Sequence, residues 1–417
     1  MRGWFARILL VTVLLQIGVY AIRPMVSYKA LSVGAGNFDL GLIASAFAVL
    51  SLLVAVPIGR WVDRWGESWF IIGGAAVIAG VALSLVIIDN LVALAVSQAA
   101  LGLGHIMSVV GTQTLIANRG EPDRRDARFG AFTVVVSLGQ LAGPAMAGLV
   151  AGNSASPVPG ATTAPTAGEF STGAVFGTVA VVTALAIVAA IGLRPGSAQR
   201  GPRGRSAATN ASSELPASGP LSSWHAMGRV LRIPSMPHAM VASLTVLTTI
   251  DLLVVYLPAY GEANGLSVQT VGLLLGVRAA ASMASRLLML PLIRMVGRRR
   301  LLAASIAIPA VSLAAFPLID APVLLYLALA VAGFGLGLGQ PITLAWVADR
   351  APDGVRGTAI GVRLSGNRLG QTLLPIAIGA VAGTVGLGAV FVSLAGLLGL
   401  SAVAVLSASF GRADPPR

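Results

Sequence analysis

The sequence has very little charge: only 10% of its 417 residues are Asp, Glu, Lys or Arg, against roughly 25% in an ordinary soluble protein. It has no cysteine and only three histidines, which excludes disulfides and thiolate metal sites and makes any metal site unexpected. It also lacks a Gly-Lys-Ser/Thr nucleotide loop and any nucleophile–base–acid arrangement. We therefore expect no cofactor, no enzymatic activity and no process driven by nucleotide hydrolysis within this chain.

Long apolar runs are what the chain has instead, since 56% of its residues are hydrophobic. A helix needs about 20 apolar residues to cross the hydrocarbon core of a bilayer. This rule predicts an all-α polytopic membrane protein with twelve transmembrane helices and both termini on one side. The predicted spans are 8–28, 40–62, 69–88, 91–116, 128–151, 171–193, 237–258, 268–292, 300–319, 322–347, 359–382 and 386–410.

The positive charge lies in the short connections between these apolar runs. The net charge is +13, but a nucleic-acid-binding protein would gather its Lys and Arg on one soluble face, so we exclude nucleic acid as a partner. The connections on one side hold many Arg residues, whereas those on the other side hold only Lys29. The positive-inside rule then predicts that both termini are cytoplasmic. The abundance of Arg, Ala and Gly indicates a bacterial protein of the cell (plasma or inner) membrane.

Two connections show no hydrophobic pattern. Residues 152–168 are rich in small residues and proline, and residues 194–223 include Arg-Pro-Gly and Gly-Pro-Arg-Gly-Arg. Both compositions are typical of flexible segments. Because the second segment divides six spans from six, we predict a six-helix bundle over 1–193, a cytoplasmic linker over 194–233 and a second bundle over 234–417.

An internal repeat supports this division. Sliding the sequence along itself until Gly66 lies opposite Gly297 aligns the second to fifth spans with the eighth to eleventh without a gap. We call this alignment the repeat register. It also matches Asn118-Arg119 with Asp349-Arg350, Leu138-Gly139-Gln140 with Leu369-Gly370-Gln371, and Pro144 with Pro375. Parallel repeats predict two six-helix halves related by an axis along the membrane normal, with a cleft between them near the midplane.

The connection between the second and third spans carries the motif Gly59-Arg60-Trp61-Val62-Asp63-Arg64-Trp65-Gly66. Its pattern G-x-x-x-D-R-x-G resembles the loop signature of the major facilitator superfamily of secondary transporters, although Glu67-Ser68 replace the basic pair that usually follows. Together with the repeat, the resemblance implies that family's twelve-helix fold and transport by alternating access. It also implies a gate in which Asp63 faces the inner end of the eleventh span near Gly357-Thr358 and locks the outward-facing state. We expect Arg64 and the nearby Arg356 to complete a charge network there, so that the gating motif comprises Gly59, Asp63, Arg64, Gly66 and Arg356. The alternative is that these charges only set the topology.

The fifth predicted span carries a series of small residues, Gly139, Gly143, Pro144, Ala147 and Gly148. Small residues four apart let helices approach closely, and the proline removes one backbone hydrogen bond. The series resembles the G-x-x-x-G-P-x-x-G-G element of the drug:proton antiporter branch of the family, with Ala147 in place of one glycine. This resemblance favours export over import, and ordinary tight packing is the alternative.

Charged side chains within a span are costly and mark functional sites. Asp251 is the only carboxylate that we place well inside a helix, and Arg278 lies near enough in depth to pair with it. In the family that the chain resembles, the first, fourth, seventh and tenth helices line the cleft, so Asp251 and His105 would face it. We interpret both as proton-coupling candidates. The alternatives are a permanent ion pair for Asp251 and a packing role for His105.

Other polar groups are candidates for the wall of the cleft. We expect Arg23 to extend toward the membrane interface but count it among these candidates, and we expect Arg286 and Arg363 to be structural. The substrate-cleft candidates are Arg23, Arg278, Arg368, Tyr20, Gln113 and Gln340.

The sequence leaves three functions open. The first is proton-coupled efflux of a small organic compound, a drug or a metabolite, which the fifth-span element and Asp251 favour. The second is import or exchange of an organic anion, because several intramembrane arginines accompany a single carboxylate. The third is a receptor or scaffold that transports nothing. The expected partners are a small-molecule substrate, protons and the lipid bilayer, and we expect a monomer.

Overall fold

The computed structural model describes residues 3–119, 125–154, 172–193, 232–233, 235–350 and 356–408. Nearly all of the predicted flexible segments 152–168 and 194–223, and most of the predicted linker 194–233, lie outside these residues. The side chains of Asp63 and Arg356, two of the predicted gate residues, also lie outside what the structure describes.

The described residues form helices joined by short connections, with no strand among them. Twelve of the helices are long and apolar enough to cross a membrane, which confirms the predicted all-α class and the number of spans. Their ends differ from the predicted spans by a few residues. In chain order the helices are α1 (Gly3–Ser32), α2 (Asn37–Trp65), α3 (Glu67–Ile87), α4 (Leu91–Arg119), α5 (Arg125–Ser154), α6 (Thr172–Ile191), α7 (Met236–Ala263), α8 (Val268–Leu287), α9 (Met289–Val296), α10 (Arg298–Ala315), α11 (Pro322–Arg350), α12 (Arg356–Val385) and α13 (Gly388–Ser407).

The eighth span was predicted as one helix over 268–292, and this prediction is wrong. The helix breaks at Leu288 into α8 and the short, unburied α9. Pro291 explains the break, because proline lacks a backbone N–H and its ring clashes with the carbonyl four residues earlier, at Leu287. In the first turn of a new helix, the same proline is well tolerated.

Glycines with positive φ show that the two halves repeat in backbone as well as in sequence. Gly66 ends α2 with φ 95° and ψ 146°, and Gly297 ends α9 with φ 84° and ψ 148°. Gly34 and Gly265, which also correspond in the repeat register, have φ of 86° and 69°. Glycine adopts positive φ without strain, so the first pair of connections shares its backbone angles and the second pair shares a positive φ.

Helices α1 and α7 lie at the centre of the bundle, since theirs are the most buried of the twelve spans. In the first half α1 packs against α5 and α6, while α3 packs against α4 and α6. In the second half α7 packs against α11, α12 and α13, while α10 packs against α11 and α13. Two pairs of helices join the halves extensively, α2 with α12 and α5 with α8.

The contacts between the halves include close packing at the end of the bundle where α1 ends and α2 begins, which we call the Lys29 end. A Cβ on Gly41 of α2 would overlap the Pro375 carbonyl of α12, and a Cβ on Gly272 of α8 would overlap the Pro144 carbonyl of α5. These two contacts are equivalent in the repeat register. Asn37 adds a hydrogen bond from Nδ2 to the Ala382 carbonyl at 3.1 Å. The halves are therefore closed on each other at the Lys29 end.

Candidate functional site

Asp251 of α7 is buried where the two halves meet, with 8% of its surface exposed. Arg23 of α1 donates from Nη1 to Asp251 Oδ1 over 2.5 Å, and Gln371 of α12 donates from Nε2 to Oδ2. Both carboxylate oxygens therefore have partners, as a buried charge requires. The Arg23–Asp251 ion pair joins the first half of the protein to the second.

One expectation about this group does not hold, and one pairing that the sequence left open is not formed. Arg23 is only 5% exposed and pairs inside the bundle, because a guanidinium remains within a span when a carboxylate compensates it. Depth along α1 did not reveal which face of the helix Arg23 occupies. The Asp251–Arg278 pair that the depths allowed is not formed, since Arg23 and Gln371 take both carboxylate oxygens.

An aromatic ring and a small cavity lie beside the ion pair. The Arg23 guanidinium carbon is 4.5 Å from the centroid of the Phe47 ring, a cation–π distance. The Phe47 and His105 rings are 5.8 Å apart between centroids. A cavity of about 10 Å³, lined by Arg23, Phe47, Asp251 and Gln371 among others, has space for about one water molecule.

Arg368 of α12 extends the group. Its Nη1 donates to Gln371 Oε1 over 3.1 Å, so a chain of contacts runs from Arg23 through Asp251 and Gln371 to Arg368. His105 lies within electrostatic range of Arg368, Arg23 and Asp251, and its Nε2 has no hydrogen-bond partner among the described residues. The structure thus brings together four of the predicted site residues, from α1, α4, α7 and α12.

The first half holds a counterpart of this group. Gln140 of α5 donates from Nε2 to the Tyr20 hydroxyl of α1 over 3.0 Å, and the repeat register maps this pair onto Gln371 and Asp251. The same polar contact is therefore made in both halves, but its acceptor is a neutral phenol in one and a carboxylate in the other. Sequence reasoning missed both glutamines as site residues, although their match in the repeat was the signal that could have found them.

Two arginines within the spans bind neutral groups. Arg286 of α8 donates from Nη1 to Ser137 Oγ of α5 over 2.8 Å, and Arg363 of α12 donates from Nη2 to Gln340 Oε1 of α11 over 2.8 Å. Gln340 thus anchors Arg363. Gln113, the remaining predicted wall residue, is half-buried on α4 and makes no hydrogen bond to these groups in the described part of the chain.

Arg278 of α8 differs from the other arginines in the spans. It is 1% exposed, and no hydrogen bond or ion pair to its guanidinium is found in the part of the chain that the structure describes. Its Nε is one of the buried atoms without a partner there. A buried cation of this kind is costly unless something compensates it.

Comparison with known proteins decides the family. The family model described as Major Facilitator Superfamily matches residues 8–293 and 239–417. The chain belongs to the Major Facilitator Superfamily. It is therefore a multi-pass integral membrane protein.

Curated relatives within the superfamily match only part of the chain. An uncharacterized MFS-type transporter of Methanocaldococcus jannaschii is 24% identical over 136 residues, which are 33% of this chain and 35% of the relative. The quinolone resistance protein NorA of Staphylococcus aureus is 23% identical over 138 residues, 33% of this chain and 36% of NorA. The match spans about a third of the length of each relative.

Solved structures of transporters share the whole fold. The nucleoside transporter NupG superposes with a TM-score of 0.75 over 97% of this chain and 98% of NupG, at 15% identity. A bacterial homolog of the human lysosomal transporter Spinster, in an inward-facing and occupied conformation, superposes with a TM-score of 0.72 over 96% and 95%, at 15% identity. At these identities the likeness shows the superfamily fold alone.

The superfamily loop motif is structured by its last glycine. The positive φ of Gly66 ends α2 and begins α3, whereas a Cβ on Gly59 would meet nothing within 4 Å. Arg64 is exposed. Glu67, where this chain departs from the family pattern, accepts a hydrogen bond from Asn118 Nδ2 of α4 at 2.7 Å. The gate formed by Asp63, Arg64 and Arg356 stays a prediction.

The α5 glycines of this superfamily member pack against two different helices. A Cβ on Gly143 would lie 2.8 Å from the Ile17 carbonyl oxygen of α1, and Gly139 meets the same helix at Gln16. A Cβ on Gly148 would lie 3.1 Å from Gly272 Cα of α8. These glycines therefore let α5 pack closely against α1 of its own half and against α8 of the other half. This packing role does not depend on the direction of transport.

Proposed function

We propose that the chain is a proton-coupled secondary transporter that exports a small organic compound by alternating access. The Arg23–Asp251 ion pair carries the proposal, because it is a titratable contact between the two halves in the region of the cleft. The third partner, Gln371, lies on α12, which also packs against α2 of the other half. A change in the charge of Asp251 therefore acts on the contact that must open and close.

Protonation of Asp251 weakens this contact. The ionised carboxylate holds Arg23 through a charge-assisted hydrogen bond. A proton on the carboxyl group removes its charge and leaves Arg23 beside the Phe47 ring, which it already contacts. The halves then rock apart more readily, and because the proton enters from one side and leaves to the other, its gradient drives the cycle.

The positive-inside rule places the Arg-rich connections in the cytoplasm and the Lys29 end outside. The structure, closed at the Lys29 end, then corresponds to an inward-facing state. The gate of Asp63, Arg64 and Arg356 belongs to the opposite state, in which the cytoplasmic ends close. The protein works as a monomer in the cell inner membrane, with both termini and the linker 194–233 in the cytoplasm between the bundles 1–193 and 234–417.

Two observations support export as the direction of transport. The α5 element of Gly139, Gly143, Pro144 and Gly148 is similar to that of the drug:proton antiporter branch. A relative, NorA, is named for quinolone resistance. A quinolone is therefore a suitable first probe of the substrate site.

Reconstituted protein tests the proposal. In proteoliposomes, an imposed proton gradient is expected to drive a fluorescent quinolone in the direction opposite to proton flow. Asp251→Asn is expected to abolish proton-driven flux while keeping exchange of quinolone for quinolone, because exchange needs no net proton movement. Glu262→Gln, at the exposed end of the same helix, is the matched control and is expected to transport normally. Proton-driven flux at the wild-type rate in Asp251→Asn would contradict the proposed coupling.

A further inference from the structure

The internal symmetry of the protein defines the surroundings of Arg278. In the repeat register, Phe47 corresponds to Arg278 and Tyr20 corresponds to Asp251. The backbone contacts of this pair are equivalent too: Gly102 packs against the Phe47 carbonyl, and Gly333 packs against the Arg278 carbonyl. Arg278 is therefore the second-half counterpart of the ring beside the ion pair.

The surroundings of Phe47 and those of Arg278, which are related by the repeat, differ in charge. Beside Phe47, the cation of Arg23 is neutralised by Asp251. On the other side, Val254 takes the position of Arg23 and the phenol of Tyr20 takes that of the carboxylate. Val254 is fully buried, and both Tyr20 and Asp251 lie within electrostatic range of Arg278. The first position holds an ion pair whose charges compensate each other, and the second holds a cation that no anion contacts among the residues that the structure describes.

The other arginines buried within the spans do not share this property, and Arg128 near the start of α5, which also lacks an acceptor among the described residues, is only half-buried and lies against the rings of Trp4 and Phe5. Arg23 has its carboxylate, Arg368 donates to Gln371, and Arg286 and Arg363 donate to hydroxyl, amide or carbonyl oxygens. Only Arg278 has a guanidinium that is 1% exposed and without any acceptor among the residues that the structure describes. A buried charge that the chain itself leaves unpaired is the arrangement expected where a ligand supplies the counter-charge.

We propose that Arg278 binds an anionic group of the substrate, a carboxylate or a phosphate, with the Tyr20 hydroxyl as a second donor. Gln140 donates to the Tyr20 oxygen, so the hydroxyl hydrogen of Tyr20 is free to point at the ligand. The planar guanidinium suits both carboxylate and phosphate oxygens. The proposal rests on the chain being a transporter, and it makes the transported compound an organic acid or an organic phosphate.

Anion binding by the purified protein in detergent tests this site without any gradient. The probes are benzoate, 1-naphthoate, phenyl phosphate and inorganic phosphate, with benzamide and 1-naphthamide as neutral matches, all at one ionic strength. We expect at least one anion to raise the unfolding temperature of the wild type and its amide counterpart to have no effect. The same shift is expected in Arg300→Gln, which removes an exposed arginine of α10.

Arg278→Met is expected to lose the anion-induced shift, and because it removes an uncompensated buried cation it should unfold no earlier than the wild type without ligand. Arg278→Lys is expected to keep part of the shift, and Tyr20→Phe, which retains the cation, to reduce it. If Arg278→Met does not fold, these two variants still test whether the anion-induced shift depends on the Arg278 guanidinium and the Tyr20 hydroxyl. The proposal is overturned if no anion stabilises the wild type more than its amide does. It is equally overturned if Arg278→Met shows the same anion-induced rise in unfolding temperature as the wild type. The same holds if the two single variants Tyr20→Phe and Arg278→Lys both show the full wild-type rise.

The failure of this proposal and that of proton coupling are distinguishable. The double variant Arg23→Met with Asp251→Asn is expected to keep the anion-induced shift, because Arg278 and Tyr20 are unchanged and no second uncompensated cation is created. If the shift depends on Arg278 but flux ignores the proton gradient, the anion site stands and the coupling does not. If flux follows the gradient but anions and amides bind alike, the coupling stands and the anion site does not.

Discussion

At the scale of residues, the rarity of charge made Asp251 visible in the sequence but did not identify its partner. The depth of a residue in the membrane follows from counting residues along its helix, and by depth alone either Arg278 or Arg23 could have paired with Asp251. Which face a side chain occupies depends on how helices pack, and this selected Arg23. Gln371 was missed because an amide in a span is no signal by itself, and only the repeat, which pairs it with Gln140, singles it out.

The buried Arg23–Asp251 pair predicts a stability pattern that an exposed pair would not show. Asp251→Asn alone leaves Arg23 buried without a counter-charge and is expected to cost about 3 kcal/mol. The double variant Arg23→Met with Asp251→Asn is expected to regain most of this loss. Unfolding temperature in detergent measures both.

The control for this cycle is the pair of Lys29 and Asp89, which are 3.3 Å apart with the Asp89 side chain 78% exposed. Asp89→Asn is expected to cost no more than about 1 kcal/mol. Equal losses for Asp251→Asn and the double variant would show that the ion pair is not what stabilises Asp251 in the fold.

At the scale of elements, the contacts between the halves depend on glycines in symmetry-related helices. Gly148 was singled out in the sequence for its likeness to a family element, whereas Gly41, Gly272 and Gly379 were not. A Cβ on Gly379 would lie 3.2 Å from Gly41 Cα, just as one on Gly148 would lie 3.1 Å from Gly272 Cα. Glycine is too frequent in this chain, at 50 residues, for composition to separate those at the interface from the rest.

Gly41→Leu is expected to hold the Lys29 end open, because a side chain there would overlap the Pro375 carbonyl of α12. The absence of cysteine allows spin labels at Ser32→Cys of α1 and Ala263→Cys of α7, both exposed at that end. Pulsed electron paramagnetic resonance should show a longer distance between the labels in Gly41→Leu. Gly80→Leu on α3, an exposed position where a Cβ also meets nothing within 4 Å, should leave the distance unchanged. A longer distance in both variants would point to a general effect of adding a leucine to a span.

At the scale of the whole molecule, the fold was predictable because two simple features determine it. Bilayer thickness sets the length of each apolar run, and the repeat register gives the two halves. The break at Leu288 was not predicted because Pro291 lies near the end of a predicted span. At that position the sequence pattern of a helix that simply continues is the same as that of a short new helix. The conformational state could not be predicted either, because the alternative conformations of a transporter have the same sequence and differ in free energy by only about a few kcal/mol.

That small difference makes the gate testable through its effect on the population of states. If Asp63 holds the cytoplasmic ends together in the outward-facing state, Asp63→Asn removes its attraction and shifts the population toward closure of the Lys29 end. Gly41→Leu acts in the opposite direction by excluding that closure. The labels at Ser32→Cys and Ala263→Cys should therefore report a larger short-distance fraction in Asp63→Asn than in the wild type. Because Gly41→Leu removes the closed arrangement itself, the double variant should stay open, and a shift of Asp63→Asn toward longer distances would contradict the gate.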